Sequence, residues 1–304
     1  MEDNQVKIGS IAAASAYLIW GFLPLFWRAV GSISPGAILS HRIVWSFVFM
    51  ILLIVLTGNA KGFIKESQLI FRDGKKTAAL LFASLVITGN WLLFIWAVNS
   101  NYVVQASLGY YINPLISILL GVFVLKESLT KVEITSVFLA GFGVVFLTFY
   151  YGVFPWVSLV LALTFALYAL VKKTVAISTM SGLTLETLIV LPPALIYLWV
   201  EGESLEIMSG SLSMAGLLMC AGVVTAIPLL LFAVGAKRIP LSLIGFLQYI
   251  APTLMLIIGV FLFNESFTYA HFIAFLSIWA ALGIYTASRF MRIRQLKRQL
   301  KRVN

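Results

Sequence analysis

His41, Arg42 and Glu186 each interrupt a long apolar run, where an unpaired charge is costly. Arg42 must either face a wet interior or snorkel along its own stem to the nearest polar surface. His41 can carry or relay a proton near neutral pH, or it can rest at an interface. Glu186 has two readings, a carboxyl whose proton release is coupled to a shape change or one partner of an ion pair with Lys172 or Lys173. These three residues form the candidate gating or coupling set.

A second set is neutral and polar or aromatic. The stretch GNWLLFIWAVNSNYVVQASLGYYINP, from Gly89 to Pro114, holds Asn90, Trp91, Trp96, Tyr110 and Asn113, with Asn99, Asn101 and Gln105 between them. Gln248 and Tyr249 stand before Pro252 in a similar setting, and Trp20 stands before Pro24. Trp20, Trp91, Trp96, Tyr110 and Tyr249 offer apolar or cation-binding surface, while Asn90, Asn113 and Gln248 offer hydrogen bonds that orient a solute. The other use of this polarity is packing between helices, where a buried amide needs a partner. Pro114 and Pro252 remove main-chain donors and leave carbonyls for a solute, water or side chain to satisfy.

No enzyme constellation accompanies these residues. The sequence has no HExxH, P-loop, GxSxG or dinucleotide-binding glycine motif. Cys220 is the one cysteine, so neither a disulfide nor a zinc-spaced cluster can form within the chain. The expectation is therefore no catalytic residue, no metal and no cofactor.

The elements that must carry these residues follow from composition. Only 11% of the chain is charged and 61% is hydrophobic, whereas a soluble domain carries about 25% charge. Apolar runs long enough to cross a bilayer recur at 8–27, 36–57, 77–98, 104–125, 132–150, 153–171, 182–200, 213–235, 241–262 and 270–288. The runs are continuous rather than alternating, which favours helices over a barrel. Gly152 and Pro155 mark the turn that splits the long uncharged stretch before Lys172.

With the N-terminus in the cytoplasm, all but Arg28 and Arg42 of the 21 Lys and Arg fall on the cytoplasmic side. The positive-inside rule thus places both termini there. The opposite connections hold acid instead, at Glu201, Glu203 and Glu206. The net charge of +10 is accounted for by these loops and by the basic tail 289–304, which reads as a membrane-proximal anchor with no nucleic-acid partner.

YYINPLISILLGVFVLKESLT, starting at Tyr110, matches the segment from Tyr249 to Thr268 at an offset that pairs Tyr111 with Tyr249. The same offset pairs Pro114 with Pro252, Gly121 with Gly259 and Glu127 with Glu265. The repeat unit is five spans, and an odd number forces the second copy to enter the bilayer upside down. The expected fold is an all-α polytopic membrane protein with ten transmembrane helices in two inverted five-helix repeats, 1–150 and 151–288.

The segments AYLIWGFLPLFW, LSHRIVWSF, GNWLLFIWAVN, ASLGYYINPL and GFLQYIAPTLM resemble those of RarD-type members of the EamA group, in the drug/metabolite transporter superfamily. The resemblance runs from about Ile8 to Ser288. It implies ten spans, two inverted repeats, cytoplasmic termini and residence in the bacterial inner (plasma) membrane. The RarD group carries a chloramphenicol-sensitivity label, and other members of the superfamily export amino acids and metabolites. The resemblance supplies no residue roles, so the two sets above stand on their physical chemistry.

The expected function is a secondary active transporter that exports a small amphiphilic metabolite or amino-acid-like solute by alternating access. Protons are the candidate coupling ion, and the lipid bilayer and the solute are the partners. A membrane sensor that binds a metabolite without moving it, and a channel, are the alternatives. Whether the chain works as a monomer or a homodimer is left open.

Overall fold

In lipid, a chain must satisfy its main-chain polar groups within itself, which helices do segment by segment. The computed structural model describes residues 2–30, 33–99, 103–152, 154–202, 211–262 and 268–303, and helices are the only regular element among them. They are α1 (Glu2–Ala29), α2 (Pro35–Leu56), α3 (Ala60–Arg72), α4 (Gly74–Asn99), α5 (Val103–Phe123) and α6 (Lys131–Tyr151). There follow α7 (Trp156–Thr174), α8 (Thr179–Glu201), α9 (Leu212–Arg238), α10 (Leu241–Gln248), α11 (Ile250–Leu262) and α12 (Tyr269–Val303).

Among the described residues, nine segments are long and apolar enough to cross a membrane, with α10 and α11 together forming one of them. α5 is apolar over the shorter stretch Leu108–Phe123. The protein is thus an all-α polytopic membrane protein. Several starts and stops follow from local chemistry. Ser34 caps α2 by accepting from Ala37 N at 3.3 Å, with Pro35 in the first turn. Thr130 and Glu133 form a reciprocal capping box at α6. Gly152, at φ 65°, ends α6 in the left-handed conformation that glycine adopts without strain, and Pro155 precedes α7.

Two elements differ from the sequence expectation. The basic connection between α2 and α4 contains a helix, α3, that packs Ile70 on Leu80, Ile177 and Leu185 while Ile64, Leu69 and Phe71 remain exposed. The apolar segment 241–262 is not one continuous helix, for it breaks at Tyr249. Pro252 has no N–H to offer the carbonyl of Gln248 one turn earlier, so the helical ladder is interrupted there.

α1 packs on α9 and α11, α7 on α4 and α5, and α2 on α8 and α9, while α6 pairs with α12 and α5 with α10. Small residues allow the closest approaches. A Cβ at Gly222 of α9 would lie 2.2 Å from the main chain of Trp45 in α2. Rings fill the centre, where Tyr17 and Trp20 of α1, Phe165 and Tyr168 of α7 and Phe232 of α9 stack or meet edge to face.

Charged side chains tie the basic end of this bundle to neighbouring main chain. Glu127, after α5, accepts from Leu241 N at 2.6 Å and Ser242 N at 2.9 Å, capping α10 from outside. Lys173 donates to Ile239 O at 2.6 Å, and Lys237 donates to Ile177 O. Glu66 of α3 accepts from Ser178 N. Burial alone would raise the Glu66 carboxyl, but hydrogen bonds from Ser178 and Ser181, with Lys237 nearby, hold it below the usual carboxylate range.

Candidate functional site

α7 and α8 bring three polar groups together inside the bundle. Lys172 Nζ lies 2.5 Å from Glu186 Oε1, and the Tyr168 hydroxyl donates to Glu186 Oε2 at 3.2 Å. Tyr168 and Lys172 are one turn apart on α7, so both reach the same carboxylate, and Lys172 lies 5.3 Å from the Tyr168 ring centre. Lys172 and Glu186 are only 7% and 5% exposed. Of the two readings of Glu186, the structure adopts the ion pair, with Lys172 as partner and Lys173 directed elsewhere.

Two narrow cavities share Glu186 as a wall. One lies near the basic end and is lined by Lys172, Ser178, Gly182, Glu186 and Lys237 among others. The other lies deeper, between Ile43, Thr88, Trp91, Tyr168, Glu186 and Thr225. Both have room only for water-sized occupants in this conformation. The Thr88 hydroxyl in the deeper wall is buried and has no hydrogen-bond partner. Thr164, Thr184 and Thr187 instead return their hydroxyls to the carbonyl four residues earlier.

Arg42 sits beside this deeper cavity, two turns into α2. Its Nε donates to Thr225 Oγ1 at 3.0 Å, and its guanidinium carbon lies 4.7 Å from the ring centres of both Trp27 and Trp91. The Tyr110 hydroxyl is within electrostatic reach. Among the described residues Arg42 makes no ion pair with a carboxylate. Trp91 and Thr225 belong both to this cage and to the cavity wall, so the guanidinium stands at the cavity's edge.

The remaining expected residues are spread through the bundle. Asn90 donates from Nδ2 to Leu161 O and Thr164 Oγ1, each at 2.8 Å, which fastens α4 to α7. Asn113 accepts from Ser117 at 3.5 Å, and Tyr110 packs on Phe94. Trp20 belongs to the central ring cluster, whereas Trp96 is 42% exposed beside Trp156. Gln248 and Tyr249 flank the helix break, buried, with no hydrogen bond of normal length to the Gln248 amide or the Tyr249 hydroxyl. Tyr17 faces Gln248 there, also without a short bond.

His41 is buried in α2, and Glu201 accepts from Ser34 just before the start of that helix at 3.3 Å. The side chains of Asn99 and Gln105, together with Asn101, Glu203, Glu206 and Glu265, lie outside what the structure describes.

Sequence reasoning missed Tyr168, Trp27, Thr88 and Thr225. Thr88 and Thr225 carried the faint signal of a hydroxyl in an apolar helix. Tyr168 stood one turn before a lysine, the spacing that lets both side chains meet one acceptor.

Residues 7–149 match the EamA-like transporter family. The uncharacterized transporter YojE of Bacillus subtilis (strain 168) is 43% identical over 289 residues, covering 95% of this chain and 97% of that relative. The chain belongs to the EamA-like transporter family. Its similarity extends to protein RarD of Salmonella typhi, 40% identical over 287 residues with 94% of this chain and 96% of the relative covered. Membership of the family is thus of the RarD type. A solved crystal structure shares the fold at a TM-score of 0.70 and 17% identity, covering 92% of this chain and 97% of that one. EamA-like proteins are transporters rather than enzymes, and the chain accordingly carries a small molecule across a membrane.

Proposed function

We propose that this EamA-like protein is a secondary active exporter of a small amphiphilic or amino-acid-like solute, working by alternating access. The observation that carries the reading is the pair of cavities sharing Glu186 as a wall, with its oxygens held by Lys172 and Tyr168 at that boundary. Parting that knot joins the deeper cavity to the basic end, which the positive-inside rule assigns to the cytoplasm of a bacterium. Proton transfer to Glu186 weakens its bond to Lys172, giving protons a route into the cycle.

Two inverted five-helix units, 1–150 and 151–288, complete the proposal with ten spans. Its support is that the packing repeats when the halves are exchanged. The contact of α1 with α9 corresponds to that of α7 with α4, and α1 with α11 corresponds to α7 with α5. α2 with α9 likewise corresponds to α8 with α4. α2 with α8, α6 with α12 and α5 with α10 join equivalent members. Such a unit can rock about its partner and expose the cavity to each side in turn.

The test is counterflow in reconstituted vesicles with amino acids, aromatic metabolites and chloramphenicol, with and without an imposed pH gradient. Saturable exchange that responds to the gradient, and loses that response in Glu186→Gln, is the expected result. Binding without flux would make the protein a sensor, and single-file conductance would make it a channel.

A further inference from the structure

We propose that Arg42 is the anchor for the carboxylate of a monoanionic solute with an apolar or aromatic body. The inference deepens the transport reading and rests on the deeper cavity being where solute binds.

Among the described residues, no carboxylate pairs with the charge of Arg42. A guanidinium among apolar helices is costly to insert, and two indole faces attract it without neutralising it. The guanidinium lies over the rings of Trp27 and Trp91, and Thr225 accepts a hydrogen bond from its Nε. Neither contact supplies the anion that the planar fork of an arginine is shaped to receive in two parallel hydrogen bonds. Thr225 fixes the plane of the fork, and the indoles limit its swing. The terminal nitrogens are left as the groups that meet a carboxylate arriving in the cavity.

A second, independent observation comes from Thr88. Thr88 lines the cavity and its buried hydroxyl is unpartnered, although the helix offers it the carbonyl one turn back that other threonines in this bundle use. A polar solute atom satisfies it. The apolar part of the wall is Ile43, Ile87, Trp91, Leu183, Val190 and Leu229, and the wall's Ser46 and Thr187 already donate to main-chain carbonyls, which suits an apolar body.

The chemistry also limits the charge. Glu186 is the one ionisable side chain besides Tyr168 in that wall, and its oxygens already accept from Lys172 and Tyr168. The wall therefore holds no second cation to match a phosphate dianion and no uncommitted carboxylate to hold an ammonium. One negative charge on an otherwise apolar molecule is the fit. The water-sized cavity must widen for such a guest, as the moving helices of a transport cycle require.

The experiment compares 3-phenylpropionate with 3-phenylpropionamide, which have the same carbon skeleton but differ in charge. Binding is followed by calorimetry on protein in nanodiscs of phosphatidylcholine. The acid should bind about tenfold or more tightly than the amide, the difference expected for a hydrogen bond to a charged group. Arg42→Gln should remove the preference, and Arg42→Lys should keep part of it. Thr225→Val retains the cation but frees its plane, and should reduce the preference several-fold. Equal affinities in the native protein, no binding of the acid, or an unchanged preference in the folded variants would overturn the assignment. Acid that binds but is never moved across vesicles would sink the transport reading and leave the anchor standing. Exchange of solutes with no preference for the acid would do the reverse.

Discussion

Lys172 and Arg42 are two cations inside one membrane bundle, and they are handled in opposite ways. Lys172 has a carboxylate at 2.5 Å and a tyrosine hydroxyl completing the same site, so its charge is balanced by the protein itself. Arg42 has two aromatic faces and one threonine, so its charge is tolerated rather than balanced. The difference separates a bond the protein makes with itself, which holds a shape, from one it leaves for a guest.

Removing a partner tests the contrast most severely. Glu186→Ala strands a buried ammonium, and a loss of about 3–5 kcal/mol in unfolding free energy is expected. The double change Glu186→Leu with Lys172→Met should recover most of it, as thermal unfolding in detergent would reveal. If the single change cost nothing, the pair would not be a lock. Arg42→Met makes the complementary case. It orphans no opposite charge, since Thr225 can return its hydroxyl to its own helix, so stability should stay within about 1 kcal/mol of the native protein. A large loss would mean that Arg42 has a structural partner after all.

The smallest effect belongs to Glu66. Because its folded carboxyl is held below the ordinary range, its tie to Ser178 contributes above the unfolded pKa and is lost as pH falls through the folded one. Protection of the amides at the start of α8, taken relative to their intrinsic exchange rates, should therefore fall at acid pH, and in Glu66→Gln it should already be lower at neutral pH. Exchange indifferent to both would remove α3 from the set of ties at the basic end.

Much of the membrane architecture was legible because lipid imposes one strong rule, that apolar length must be helical. The break between α6 and α7 at Gly152 and Pro155 followed from turn chemistry, although α6 packs on α12 rather than forming a tight hairpin with α7. α3 was hidden by its lysines, which made an amphipathic helix look like a basic connection. The break at Tyr249 was foreshadowed by Pro252, but hydropathy averages over such a break and reads one span. For the site, sequence singled out Glu186, Arg42 and Trp91 because each is conspicuous in an apolar run. It did not reveal partnership. Asn90 turned out to fasten α4 to α7 with both of its bonds, and Thr225 acquired its role only when α9 came to lie across α2. Polarity in a membrane helix marks where a group must be satisfied, and only the packing of the other helices says by whom.

The interruption at Tyr249 turns α10 into a short lever. Its eight residues span about 12 Å at 1.5 Å per residue. With Tyr249 as fulcrum, a swing of about 15° carries the far tip about 3 Å. That travel exceeds what the bonds from Leu241 N and Ser242 N to Glu127 can follow, so in the proposed cycle a small tilt about Tyr249 would uncap α10 at its far end.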